Sequence, residues 1–427
     1  MTSRWQWLLS LITRRLWFRA TIISLLGVAS ALVSLVAAPF VPPGLASTIG
    51  ADSVETILTI IASSMLAVTT FSLSTMVSAY SAATANVTPR ATRLLIEDTT
   101  TQNVLATFVG SFLFSLVAII TLSMGAYGER GRVVLFAVTI VVVLLIVVTL
   151  LRWIDYLLGF GRVGETTQRV EDAAERALIE RRDNPYLGGS PLLDPQTQIP
   201  DGALAVFPDR IGYVQHVDIS RLSDTIEECR GEVYLVATPG TFVDPGRPLA
   251  YAMAADMPAD FEQSLRNAFT VGNERSFDQD PRFGLAVLAE VGSRALSSAM
   301  NDFGTAIDVI GRSVRLLWLW TRPVEGAEDP RFPRVYVPPI EPADLMDAMY
   351  VTLGRDAAGI VEVQIRLQKA FAALARSGDA RFAVEAARHS AIALTRAEKA
   401  MSLADDIERV RQAARQVTDS RASVARH

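Results

Sequence analysis

Four apolar stretches in the first 160 residues constrain this chain more than any other feature. They run over about 20–40, 54–83, 104–124 and 133–151. A helix needs about 20 residues, at ~1.5 Å each, to cross the hydrocarbon of a bilayer, and each stretch is near that length. The last contains Val-Val-Val-Leu-Leu-Ile-Val-Val at 141–148 and no charge. The expected fold is membrane α-helical: four transmembrane helices, then a cytosolic α+β module with a small β-barrel-like domain and helices. The expected divisions are an interfacial amphipathic segment (1–19), a four-helix transmembrane domain (20–158), a joint, helix and linker (159–200), a small β-domain (201–257) and a helical cytosolic domain (258–427).

The arginines orient these spans. Arg4, Arg14, Arg15 and Arg19 precede the first, Arg90 and Arg93 separate the second from the third, and Arg152 and Arg162 follow the fourth; loop 41–53 carries Asp52 and no basic residue. Basic residues stay on the cytoplasmic side, so the expectation is an inner-membrane protein with both termini cytoplasmic. The first apolar run is longer than a signal-peptide core of about 7–15 residues. Pro39 also follows the late small pair Ala37-Ala38, so an uncleaved anchor is expected. Trp5, Trp7, Leu8, Leu11, Ile12, Leu16 and Trp17 alternate with arginines before it. Tryptophans favour the headgroup layer, which reads as a segment lying along the inner surface.

Charge excludes some functions. Residues 1–159 hold nine Lys+Arg against six Asp+Glu, and residues 160–427 hold 31 against 39. A mildly acidic second half lacks the basic patch that releases phosphate counterions, so no nucleic-acid partner is expected. The single cysteine, Cys229, excludes a disulfide framework and a multi-cysteine metal site. Three histidines, His216, His389 and His427, leave little for zinc.

The second span carries a polar stripe. Thr56, Thr59, Ser63, Ala67, Thr70, Ser74, Ser78 and Ser81 recur every three or four residues, which at about 100° per residue places them on one helix face. Small hydroxyl residues in a membrane helix either pack closely against another helix or line a hydrated path. No charged residue falls within 56–89, so this helix offers no proton relay or charged ring.

Two patches carry a family resemblance. Phe71-Ser72-Leu73-Ser74-Thr75-Met76-Val77 leads to Thr88-Pro89-Arg90-Ala91-Thr92-Arg93-Leu94-Leu95-Ile96-Glu97-Asp98 and then Thr101-Gln102. Further on stands Arg294-Ala295-Leu296-Ser297-Ser298-Ala299-Met300-Asn301-Asp302-Phe303-Gly304-Thr305-Ala306. Together these resemble a bacterial predicted integral-membrane family catalogued as domain of unknown function 2254. The resemblance implies a few membrane spans followed by a cytosolic region, and no established activity. This chain has Ser298 and Phe303 where the family usually has prolines, which loosens the proline-framed turn and keeps the Asn-Asp pair.

The second half alternates element types. Residues 165–182 show a helical apolar face of Val170, Ala174, Ala177 and Leu178, ended by Asn184-Pro185 and Gly188-Gly189-Ser190-Pro191. Four short β patterns follow, at 203–207, 213–217, 233–237 and 248–252. Gly240-Thr-Phe-Val-Asp-Pro-Gly resembles the hairpin of lipoyl- or biotinyl-carrying barrels, but no lysine precedes Lys369; a structural barrel is expected. Helices read over 258–320 and 343–420, with a proline-rich interruption at 323–342 that holds one strand pattern, Arg334-Val-Tyr-Val. Ala400, Leu403, Ile407, Val410, Ala414 and Val417 form a heptad seam, for packing within the domain or between subunits.

Candidate chemistry is sparse. Gly159-Phe160-Gly161-Arg162-Val163-Gly164 spells G-x-G-x-x-G, yet a dinucleotide site needs that turn after a β-strand; here it follows a membrane span and reads as a joint. No P-loop, metalloprotease, nucleophile-elbow or C-x-x-C motif occurs. Glu227 and Glu228 beside Cys229 blunt its nucleophilicity. The one dense polar cluster is Arg294, Ser297, Asn301, Asp302, Thr305 and Asp308. Asp302 suits an N-cap whose carboxylate accepts the Thr305 N–H; a polar contact at a subunit or ligand interface is the other reading. Asp302 and Asp308 are about 120° off-register on one helix and form no acid–base pair. No catalytic residue, cofactor or metal is expected. The expected partners are the lipid bilayer, other copies of the chain and a cytosolic protein. Two functions stay open: an oligomeric ion or small-solute channel with a cytosolic module, and a membrane-anchored sensor or scaffold.

Overall fold

The computed structural model describes residues 13, 16–36, 51–159, 161–323 and 329–424. They form two compact units: the described parts of 8–85 with 92–166, and 86–91 with 167–424. Most of the interfacial segment (Trp5, Trp7, Leu8, Leu11, Ile12, Arg4, Arg14 and Arg15), together with Pro39, residues 41–50 and Phe160, lies outside the described residues.

The first unit is helical: α1 Leu16–Val36, α2 Ala51–Asn86, α3 Pro89–Ile96, α4 Thr99–Ser123 and α5 Glu129–Gly159. Among the described residues three helices are long and apolar enough to cross a membrane, over Ser53–Ala85, Thr99–Ser123 and Glu129–Gly159. The apolar part of α1, Trp17–Val33, is shorter. Small residues let α1 approach α4: a Cβ on Gly27 would stand 2.8 Å from the Gly110 carbonyl oxygen. Such close approach is how membrane helices gain dispersion contact without a hydrophobic driving force. Tyr127, buried in the α4–α5 turn, donates its hydroxyl to the Ala31 carbonyl at 2.6 Å.

The second unit mixes helices and sheets. Its elements are α6 Val163–Asp183, β1 Gly189–Pro191, α7 Pro195–Gln198, β2 Leu204–Val206, β3 Gly212–Val217, α8 Ile219–Glu228, β4 Gly231–Leu235, β5 Phe242–Val243, β6 Ala250–Ala254, α9 Phe261–Arg266, β7 Phe269–Gly272, α10 Pro281–Ala295, α11 Phe303–Trp320, β8 Phe332–Val337, α12 Pro342–Asp356, α13 Val361–Ala375, α14 Ala380–Ala400 and α15 Ala404–Val424. The strands form two open sheets, β1-β8-β4-β6-β2 and β5-β3-β7. The small barrel expected over 201–257 is therefore two sheets, and the larger one takes strands from both flanks. β8 pairs in parallel with β1 and with β4. The supposed linker at 188–191 contributes β1 because glycine permits the pairing: a Cβ on Gly189 would lie 2.3 Å from the Val335 carbonyl oxygen.

Apolar alternation builds the core between the strands and α8, with Val206, Val233, Leu235, Ala252, Val335 and Val337 meeting Leu222 and Ile226, all buried. α8 starts at Asp218, whose carboxylate accepts the Arg221 N–H at 3.1 Å. Of the heptad seam, Val410, Ala414 and Val417 are buried and α15 packs on α13, so the seam serves its own unit; Leu403 lies outside the helix and is exposed.

Candidate functional site

The polar stripe and the buried face of α2 occupy opposite sides of one helix. Val54, Leu58, Ile61, Met65, Ser72, Met76 and Ala83 are buried. Thr56, Thr59, Ser63, Ala67, Thr70, Ser74, Ser78 and Ser81 are all exposed on the chain. At about 100° per residue the two sets centre about 170° apart. The hydroxyls satisfy themselves along the helix. Thr59, Ser63, Thr70, Ser74 and Ser78 each donate to the carbonyl four residues back, at 2.9, 2.9, 3.0, 3.0 and 3.0 Å. That back-bonding lets hydroxyls sit on a membrane helix without a neighbouring helix to satisfy them.

A second set of polar contacts faces inward. The Trp153 indole N–H donates to the Ser72 hydroxyl at 3.0 Å, and both side chains are buried. Tyr156 stacks on Trp153 and donates its hydroxyl to Asp98 at 2.8 Å. Asp98 also accepts the Thr101 N–H at 2.8 Å, capping α4. Thr84 and Thr92 share a hydrogen bond at 2.8 Å. Periodicity marks the stripe because it repeats; these partners stand 58 and 81 residues apart, and nothing local announces them.

The Arg294–Thr305 patch is a capped turn. Asn301 adopts φ +47°, a left-handed conformation that asparagine tolerates. The Asp302 carboxylate accepts the Thr305 N–H at 3.0 Å and its hydroxyl at 2.6 Å. Those bonds, the hydroxyl first, hold the Asp302 carboxyl below its ordinary pKa. The structural reading of Asp302 thus has its geometry. Ser297 and Asn301 are exposed and Arg294 is half-buried. Asp308 turns away from Asp302 and pairs with Arg312 at 2.6 Å. Asp302→Ala is expected to cost about 1 kcal/mol of unfolding free energy, within the range of about 0.5–2 for a lost N-cap, and Asp302→Ser to restore most of it. Because the native carboxyl is depressed, its contribution is present above its unfolded pKa and fades as pH falls through the folded one. Chemical unfolding of the full chain at pH 7 and pH 3 checks both; equal loss in the Ser and Ala variants would assign the carboxylate another role.

The remaining candidates are ordinary. The G-x-G-x-x-G turn joins two helices, α5 and α6, with no strand before it. Gly161 has φ +80°, and a Cβ there would stand 3.0 Å from that of Ala79. His216 is buried in β3. His389 is buried on α14 with Nε2 3.0 Å from Asp347, and burial pushes its pKa down. Burial, then Glu228, pushes the Cys229 thiol up, the direction expected of an unreactive cysteine. Among the described residues no cluster of metal-ligating side chains occurs.

Comparison with known proteins adds a family. Three curated relatives, uncharacterized proteins of Mycobacterium bovis and of two Mycobacterium tuberculosis strains, are each 34% identical over 116 residues. That stretch covers 26% of this chain and 22% of each relative, so the chain matches about a fifth of their length. No solved structure matches. Residues 13–373 match the family model described as predicted membrane protein (DUF2254). The resemblance carried by the Thr88–Gln102 and Arg294–Ala306 patches is thereby a shared family, and the chain belongs to this predicted membrane protein family of unknown function.

Proposed function

We propose that the protein is a non-enzymatic, homo-oligomeric channel of the bacterial inner membrane, in which α2 lines a hydrated path for a small ion or solute. In this reading α1 is a fourth span, and both termini and the second unit are cytoplasmic. The observation that carries it is the hydroxyl face of α2, exposed along the helix and opposite the face buried in its own bundle. Polar faces of membrane helices turn towards protein or water. Helices packed tightly in one chain leave no space for water, so several copies must surround the path. A different observation favours a scaffold: Met300 and Phe303, at the turn between α10 and α11, are 37% and 49% exposed, an apolar tip suited to a protein partner.

Cysteine accessibility tests the proposal. In a Cys229→Ala background, cysteines at Ser63, Thr70 and Ser74 are expected to react with small water-soluble thiol reagents in native membranes, and bulky adducts to block conductance of the purified protein in bilayers. Cysteine at Leu144, which is 61% exposed on the chain but lies on an apolar face, is expected to stay inert. So is cysteine at the buried Phe114. Uniform protection of 63, 70 and 74 in a folded oligomer would make the stripe a dry seam and return the protein to the sensor or scaffold reading. Reporter fusions after Tyr127 and Gly189 are expected to report periplasm and cytoplasm respectively; the reverse would overturn the orientation.

A further inference from the structure

A groove runs between α6 and α11, wholly within the second unit. Its volume is about 380 Å³, near the lower end of the ~300–1,000 Å³ typical of small-ligand pockets. One wall is the side of α11 that carries Val314, Trp318 and Leu319. Trp318 is 37% exposed, while Ile310, Ser313 and Leu317 on the other side of the helix are buried. The core of the unit is therefore complete without the groove wall, and an indole is left facing the opening.

Two polar ties fix the spacing of the two helices. The Glu171 carboxylate on α6 accepts from Arg315 at 2.9 and 3.0 Å. Further along, Arg182 of α6 donates to the Leu319 carbonyl at 3.0 Å. A ligand does not have to part the helices on entry, so little of its affinity is lost to reorganisation.

Two charges at the groove are left over. Glu175 stands one turn beyond Glu171 on α6, and Arg322 lies just past the end of α11; both line the groove. Among the described residues neither makes an ion pair or a side-chain hydrogen bond, with the other or with any third group. Glu171, by contrast, is occupied by Arg312 and Arg315. The groove thus presents one carboxylate, one guanidinium and an apolar wall. A simple anion would meet Glu175 there and a simple cation would meet Arg322, each a like-charge contact that disfavours it. A molecule that carries both charges meets a partner for each.

We propose that this groove binds a small zwitterion with an apolar body, of the class of the aromatic and large aliphatic amino acids. The ammonium group pairs with Glu175 and the carboxylate with Arg322, whose planar fork matches it. The apolar body lies against Val314, Trp318 and Leu319. The volume restricts the ligand to about the size of one or two residues. The site is separate from the α2 face and does not depend on the channel reading.

Calorimetric titration of the full-length protein in detergent tests this, with L-phenylalanine as probe. Saturable binding is expected, with a rise in unfolding temperature and a change in tryptophan emission that Trp318→Leu removes. Three analogues dissect the ligand: glycine lacks the apolar body, 3-phenylpropionate the ammonium and phenethylamine the carboxylate. Each is expected to bind at least about tenfold more weakly than phenylalanine. Glu175→Gln is expected to weaken phenylalanine about tenfold without weakening 3-phenylpropionate. Arg322→Gln is expected to weaken phenylalanine similarly without weakening phenethylamine. Both variants are expected to unfold at the wild-type temperature in the absence of ligand, because neither side chain has a partner to lose. Absence of saturable phenylalanine binding overturns the site, as does binding that both variants retain in full. Any of the three analogues binding the wild type as tightly as phenylalanine overturns the ligand class, and that comparison needs no variant.

Discussion

Glu171→Ala is expected to lower the stability of the second unit by about 3 kcal/mol, at the low end of the ~3–5 kcal/mol that follows removal of one partner from a buried ion pair. The Glu171 side chain on α6 is 7% exposed and accepts from Arg312 and Arg315 of α11. Arg312 is itself 12% exposed and is held further by Asp308 and Gln168. Removing the carboxylate leaves Arg312 largely desolvated with only its two exposed partners, Asp308 and Gln168. Arg315, 60% exposed, returns to water, which keeps the loss from the top of the range. Arg315→Ala should for that reason cost under about 1 kcal/mol. Chemical unfolding of the full chain, read by tryptophan fluorescence, separates the two; equal losses would mean that Glu171 does not clasp α6 to α11 through Arg312.

Gly240→Ala should be comparably severe for a different reason. Gly240 sits at φ +89°, and a Cβ there would fall 2.0 Å from Asp280 Oδ2. That oxygen is fixed by Arg275, so it cannot yield without breaking a buried ion pair. The left-handed backbone costs of order 1–3 kcal/mol for a residue with a side chain, and displacing Asp280 adds to it; a total of about 3 kcal/mol is expected. Gly202→Ala isolates the backbone part. Gly202 has φ +83° with nothing within 4 Å of the added Cβ, so it should lose only about 1 kcal/mol. If the two variants lose the same amount in thermal unfolding, the collision with Asp280 is not what makes Gly240 necessary.

These two sites show where sequence reasoning stops. The long apolar runs, the four β patterns, the strand pattern at 334–337 and the Asp302 cap are legible because each depends on residues within a few positions of one another. Glu171 and Arg312 are 141 residues apart, and β1 finds β8 across the span from Gly189 to Phe332; neither partner carries a local mark. The barrel expectation fails for the same reason, since the larger sheet is completed by strands outside 201–257. The Gly240 segment reads as a turn from its local residues, while its partner, Asp280, is 40 residues away and is set only by the fold. Stripe residues such as Thr59, Ser63, Thr70 and Ser74 are legible from spacing, but their outward direction is set by which other residues of α2 the fold buries.

The direction of the hydrogen bonds along α2 gives its outer face a polarity of its own. Thr59, Ser63, Thr70, Ser74 and Ser78 each spend their hydroxyl proton on the helix backbone, so what faces outward is a ladder of oxygen lone pairs. A hydroxyl that has donated can still accept. If α2 lines the proposed path, a cation shedding part of its hydration would find substitutes for lost waters on these rungs, whereas an anion would find no donor until a hydroxyl let go of its carbonyl. The face carries no formal charge; in the channel proposed above, its hydrogen-bond direction would discriminate by sign.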